Sequence, residues 1–115
     1  MLNFLTDVVS TGDQCVCVFI KQEGFQKNLV LNDEGISKTG IWKLDLMKME
    51  EVNKVVIYYS HDGINEIITG DYAGISPTIF RDRYCINFQL RHIDQTENDW
   101  TDFCCGGSNL LKYYP

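Results

Sequence analysis

Two histidines, five cysteines and an unusual set of aromatics are the residues here that could do chemistry. His61 lies inside Ser60-His61-Asp62, but neighbours in sequence do not make a triad, because a nucleophile, base and orienting acid must converge from separate elements. His61 is therefore read as a hairpin-turn residue and His92 as a solvated strand end. Glu66, Asp71 and Asp82 are the acids that a Mg²⁺-dependent nuclease would use, yet no pair has a recognisable spacing. There is no phosphate-binding Walker loop, dinucleotide fingerprint, nucleophile elbow or His-Glu-x-x-His helix. The reading expects no catalytic residue and no cofactor.

The cysteines point to burial rather than ligation. Cys15 and Cys17 form a Cys-x-Cys inside an apolar run, where two thiols on one strand face act as small hydrophobes. Cys104 and Cys105 are adjacent, which suits neither a simple disulfide nor a zinc knuckle. A metal centre would need these four to converge without the usual Cys-x₂₋₄-Cys spacing. Reduced, buried thiols are expected, and with them a reducing, cytoplasmic setting.

The aromatics carry the sharper hypothesis. Trp42, Tyr58, Tyr59, Tyr72 and Trp100 are spread over segments that could wall a cleft for a planar base. Stacking in such a cleft contributes roughly 1–3 kcal/mol per base. The competing account has the same rings filling the core of a small sheet protein. Tyr58 and Tyr59 are consecutive on a strand, point to opposite faces, and so cannot both join one cleft.

Charge narrows the partners. Ten basic residues against sixteen acidic ones give −6. A sequence-blind phosphate binder draws its affinity from Lys and Arg, so that class is disfavoured. A small-molecule pocket or a basic protein partner fits better. Four acids within Asp94–Asp102 could steer such a partner. No stretch reaches the ~20 apolar residues of a membrane span, and Met1-Leu2-Asn3-Phe4 has neither the basic nor the long apolar region of a leader.

The elements that must position these residues are those of one α+β domain with an antiparallel, curled sheet or partly open β-barrel and one or two short helices. Cys15–Ile20 reads as a strand covered on both faces. Residues 21–40, which hold Gly24, Asn28, Asn32, Asp33, Gly35 and Gly40, read as a loop region interrupted by a short strand at Asn28–Leu31. Ser37–Val52 gives the best helix, with Ile41, Leu44, Met47 and Val52 on its apolar stripe, Met49 off it and Trp42 at its start. Three runs then follow as an antiparallel meander: Lys54–Ser60, Asn65–Ile75 and Tyr84–Leu90. Asp62-Gly63 turns the first hairpin, and Gly70 marks a bulge or a close backbone approach. Thr96 begins a short helical turn, Gly106-Gly107 breaks the chain, and Leu110–Tyr114 docks as a last strand. An unpaired edge in so short a sheet would favour a homodimer.

Read in order, Gly40-Ile41-Trp42, the run Lys54–Ser60, the glycine-bearing strand Glu66–Tyr72, Ile75-Ser76-Pro77-Thr78 and the strand Arg83–Leu90 resemble the PUA-like superfamily, the small β-barrels that include EVE, ASCH and YTH domains. The resemblance covers about residues 40–114. It implies a partly open barrel holding a modified nucleobase or RNA element between aromatics. Trp42, Tyr58 or Tyr59, and Trp100 would then line the cleft, with Arg81, Arg83 or Arg91 nearest a phosphate. Two departures stand against it: the acidic charge, and residues 1–39, which have no clear place in the smaller members. Three functions are therefore carried forward: a binding module for a nucleobase-like ligand, an acidic protein-interaction domain of the immunity, antirestriction or mobile-element kind, and an enzyme using a histidine.

Overall fold

A computed structural model describes residues 2–22, 28–104 and 109–115. Gly24 of the expected loop region, Cys105 and the Gly106-Gly107 break lie outside them. Among the described residues seven strands form one open, mixed sheet: β1 (Cys15–Lys21), β2 (Leu29–Val30), β3 (Ser37–Trp42), β4 (Lys54–His61), β5 (Ile64–Pro77), β6 (Tyr84–Gln95) and β7 (Leu111–Tyr114). They lie in the order β2-β3-β6-β5-β4-β1-β7. Two one-turn helices, α1 (Leu46–Met49) and α2 (Trp100–Phe103), and a 3₁₀ turn at Leu5–Asp7 complete the fold.

The meander is as expected, with β4–β5 and β5–β6 both antiparallel. Its first turn is fixed by chemistry. Asp62 and Gly63 both take positive φ, 50° and 75°, the pairing that a two-residue turn between twisted strands requires. At Gly70 both expected features occur together. The register slips there, leaving Arg91 of β6 as the extra residue, and a Cβ on Gly70 would meet Gln89 O and a Phe88 ring carbon at 2.6 Å.

The sheet is mixed rather than wholly antiparallel because β1 runs parallel to β4, from Cys15 beside Lys54 to Lys21 beside Ser60. β7 closes its other side antiparallel. Being central, β1 is covered on both faces. Val16, Val18 and Ile20 enter one core cluster, Cys15 and Cys17 the other.

The first cluster takes residues from all seven strands, from Leu29 and Trp42 across Ile57, Ile68 and Phe88 to Leu111. A flat sheet could not gather them, so the sheet curls around this interior. The second lies on the outer face of β1, β4, β5 and β7, where Val56, Tyr58 and Ile67 are covered by Leu5, Trp100, Phe103 and Cys104.

The helix expected over Ser37–Val52 is corrected. Ser37–Trp42 is the strand β3, paired with β6 at Ser37–Phe88 and Trp42–Tyr84, and only Leu46–Met49 is helical. The apolar spacing misled because Leu44 and Val52 are buried from non-helical backbone. Met49, placed off the stripe, is buried, whereas Met47 is 81% exposed. Ser37 and Thr39 face inward, fully buried, each satisfied by hydrogen bonding to the chain at Asn32 or Asn28. The cap of α2 is also reassigned: Asp99, not Thr96, accepts from Asp102 N at 2.8 Å.

Candidate functional site

The candidate ligand-binding residues Trp42, Tyr58, Tyr59, Trp100 and Arg83 separate into three places, and Tyr72 packs on the interior cluster with Trp42 and Tyr59. Tyr58 and Trp100 meet on the outer face, rings 6.0 Å apart and edge-on, with Phe19 stacked on Tyr58 at 5.3 Å and Phe103 at 5.8 Å. Only 2% of Tyr58 and 5% of Trp100 is exposed. Their polar tips are engaged: Tyr58 Oη donates to Asn98 O at 2.5 Å, and Trp100 Nε1 to Asn109 O at 2.9 Å. Burial pushes the Tyr58 hydroxyl up, with Asp99 adding to it. These rings pack against one another, and their polar tips tie Asn98 and Asn109 to the sheet.

Tyr59 and Trp42 face the interior of the curl, on the opposite side of the sheet. Trp42 is half-buried, and its Nε1 donates to Thr39 Oγ1 at 3.2 Å, whose hydroxyl in turn donates to Asn28 O. Tyr59 sits at the mouth. A cleft of about 380 Å³ opens there, lined among the described residues by Gln22, Leu29, Leu31 and Tyr59. The His61 ring lies nearly parallel to Tyr59 at 4.5 Å. His61 is held from behind by Glu66, whose carboxylate contacts Nε2. Burial raises the Tyr59 hydroxyl, and the nearby charges of Asp62 and Glu66 raise it further. Sequence reasoning named Tyr59 but missed Leu29, Leu31 and His61 as its companions. Residues thirty apart come together here only through the curl.

Arg83 lies in neither place. It sits in the exposed turn between β5 and β6, at the opposite end of β5 from Glu66, the residue paired with Tyr59. Of the acids considered for Mg²⁺, Glu66 is with His61, Asp71 is with Arg91, and Asp82 is in the β5–β6 turn. His92 is an exposed residue of β6, 3.8 Å from Asp94.

Cys15, Cys17 and Cys104 do share the outer cluster, where all three are buried, and Cys15 and Cys17 are free thiols. Burial pushes Cys15 up to about 11 and Cys17 higher still, so both are protonated at neutral pH. Among the described residues no three side chains are placed to hold a metal ion.

A polar cleft of about 370 Å³ was not foreseen. Asp13, Asn53, Lys54, Thr69, Gly70, Asp71 and the bulged Arg91 line it. Two ion pairs wall it: Lys54–Asp13 at 3.1 Å and Arg91–Asp71 at 2.6 Å. Lys54 Nζ also donates to Val8 O, pinning the amino-terminal segment to β4. The Ser10 backbone N–H holds the Asp13 carboxyl below the usual carboxylate range against the effect of burial, and Lys54 adds to the lowering. An acid depressed in the fold stabilises it above the unfolded pKa and ceases to as pH falls through the folded one. Urea titrations should therefore show wild type more stable than Asp13→Asn above about pH 5, with the two converging below about pH 4. A constant gap down to pH 2 would show that Asp13 does not act through its charge.

Among the described residues no helix is long and apolar enough to cross a membrane. Compared with family models, curated proteins and solved structures, the chain matches none.

Proposed function

We propose that this chain is a non-catalytic binding module that takes a flat, base-like ligand at the Tyr59 mouth of the curled sheet. The supporting observation is the parallel Tyr59–His61 stack beside an apolar cleft of about 380 Å³, the size range of small-molecule sites. Tyr59 supplies a platform already braced by His61. Leu29 and Leu31 supply the facing wall, and Gln22 completes the lining among the described residues. Trp42 supports the interior behind them, while Tyr58 and Trp100 brace the outer face.

Asp62 and Glu66 lie close to the platform and oppose a phosphate. The favoured ligand is accordingly an uncharged base or nucleoside rather than a nucleic-acid strand. A curled, open sheet with short helices is in keeping with the PUA-like resemblance, and buried reduced thiols with a cytoplasmic setting.

The test is an NMR titration with the four common ribonucleosides and their methylated forms. Saturable shifts are expected around Tyr59, Leu29 and Leu31, weaker binding for the 5′-monophosphates, and a loss of about tenfold or more for Tyr59→Ala, as befits one stacking partner. No saturable shift in a folded protein would sink the reading. A second reading, an acidic protein-interaction domain of the immunity, antirestriction or mobile-element kind, is favoured by two large apolar side chains exposed in the β5–β6 turn. It would engage a basic partner through Asp94–Asp102.

A further inference from the structure

The β5–β6 turn is built to present apolar side chains to something. Ile79 is 94% exposed and Phe80 55% exposed. Neither exposure comes from a loose loop. Thr78 Oγ1 accepts from Phe80 N at 3.1 Å and lies 3.0 Å from Arg83 O, Arg83 N donates to Phe80 O at 3.2 Å, and Asp82 takes a positive φ of 61°. The turn is thus set in shape before it meets anything, which lowers the ordering cost of binding. Arg81 and Arg83, two of the chain's three arginines, follow the apolar pair with Asp82 between them, and are exposed. An aromatic with arginines beside it is the composition that dominates interface energetics.

The occupant must therefore offer an apolar pocket with carboxylates at its rim. The Tyr59 cleft has that character. Its walls are Leu29, Leu31 and Tyr59, Asp62 and Glu66 lie near its platform, and Asp33 and Glu34 are exposed just beyond Leu31. The smaller cleft at the β2–β3 edge, by contrast, carries Lys38. Ile79 and Phe80 stand exposed and are not among the residues that line the chain's own cleft.

We infer that the Ile79-Phe80 turn of one copy docks in the Tyr59 cleft of the next, with Arg81 and Arg83 against the acidic rim. The contact is head to tail, and a contact of that kind extends unless the rotation between copies happens to close a ring. It uses the same cleft as the proposed ligand but does not require that ligand. A turn seated in a cleft buries little area, so the association is weak and reversible.

Sedimentation of the full chain over a wide concentration range tests this. The weight-average mass should rise with concentration, and rise less at high salt. Phe80→Ser, which removes the turn's anchor, and Leu31→Glu, which spoils the cleft, should each sediment as monomers while folded. Where Leu31→Glu fails to fold, Leu31→Ser takes its place. An equimolar mixture of the two variants pairs one good turn with one good cleft and should form dimers and nothing larger. Wild type remaining monomeric throughout, Phe80→Ser still associating, or the mixture staying monomeric would each overturn the inference. Nucleoside binding by Phe80→Ser should be retained, equal to wild type at dilutions where wild type is monomeric and tighter where wild type associates, because the turn no longer competes for the cleft. Failure of the docking and failure of the ligand reading are thus told apart.

Discussion

Tyr58→Ala is expected to lower the unfolding free energy by about 4 kcal/mol, the usual cost of deleting a fully buried aromatic. The reasoning rests on where the ring sits. It is almost wholly buried and stacked on Phe19, and it meets Trp100 and Phe103 edge-on or tilted. Removing it opens a cavity that three other rings line, and it frees Asn98 O from its hydrogen bond. Tyr58→Phe keeps the packing and loses only the hydroxyl, a change of about 1 kcal/mol. Urea unfolding of both variants separates the terms. A cost below about 1 kcal/mol for Tyr58→Ala would mean the outer cluster does not brace the sheet. For a domain with 5–15 kcal/mol of stability, the larger value approaches the whole margin.

Gly70→Ala should cost about 3 kcal/mol, through crowding rather than lost conformational freedom. Gly70 is extended, outside the positive-φ glycines, but an added methyl carbon would lie 2.6 Å from both Gln89 O and the Phe88 ring. Gln89 O is backbone of the neighbouring strand and Phe88 is fully buried, so neither can yield without moving β6. Gly74→Ala is the matched control. Its φ of +99° strains an alanine, but nothing lies within 4 Å of the added carbon. A loss of about 1 kcal/mol is expected there. Thermal or urea denaturation giving equal losses at the two positions would refute the steric account.

Much of the fold was legible because the residues that decide it are local. Alternating β-formers and the Asp62-Gly63 turn determine β4 and β5 within a dozen positions, and Gly70 announced its bulge as a glycine inside an apolar run. Ser37–Val52 was illegible for the opposite reason. What makes Ser37–Trp42 a strand is β6, half the chain away, and a pairing partner leaves no trace in the periodicity of the segment it recruits. The site divides the same way. Strand alternation correctly put Tyr58 and Tyr59 on opposite faces, but nothing in their neighbourhood told which face was covered by α2 and which opened beside Leu29 and Leu31. The polar cleft depends on an arginine re-aimed by a register slip, and a slip depends on two strands at once.

The neighbours of β1 also set an order of events during synthesis. Cys15 lies beside Lys54 on one side and Tyr114 on the other. The hairpins of residues 54–95 can form as soon as they emerge, because closing short loops is fast and costs little entropy. β1, made before either neighbour, waits for β4 and then for β7. Until residues 111–114 leave the ribosome, an apolar strand stands with one edge bare, and that interval is when a nascent chain is most open to chaperones and to mispairing.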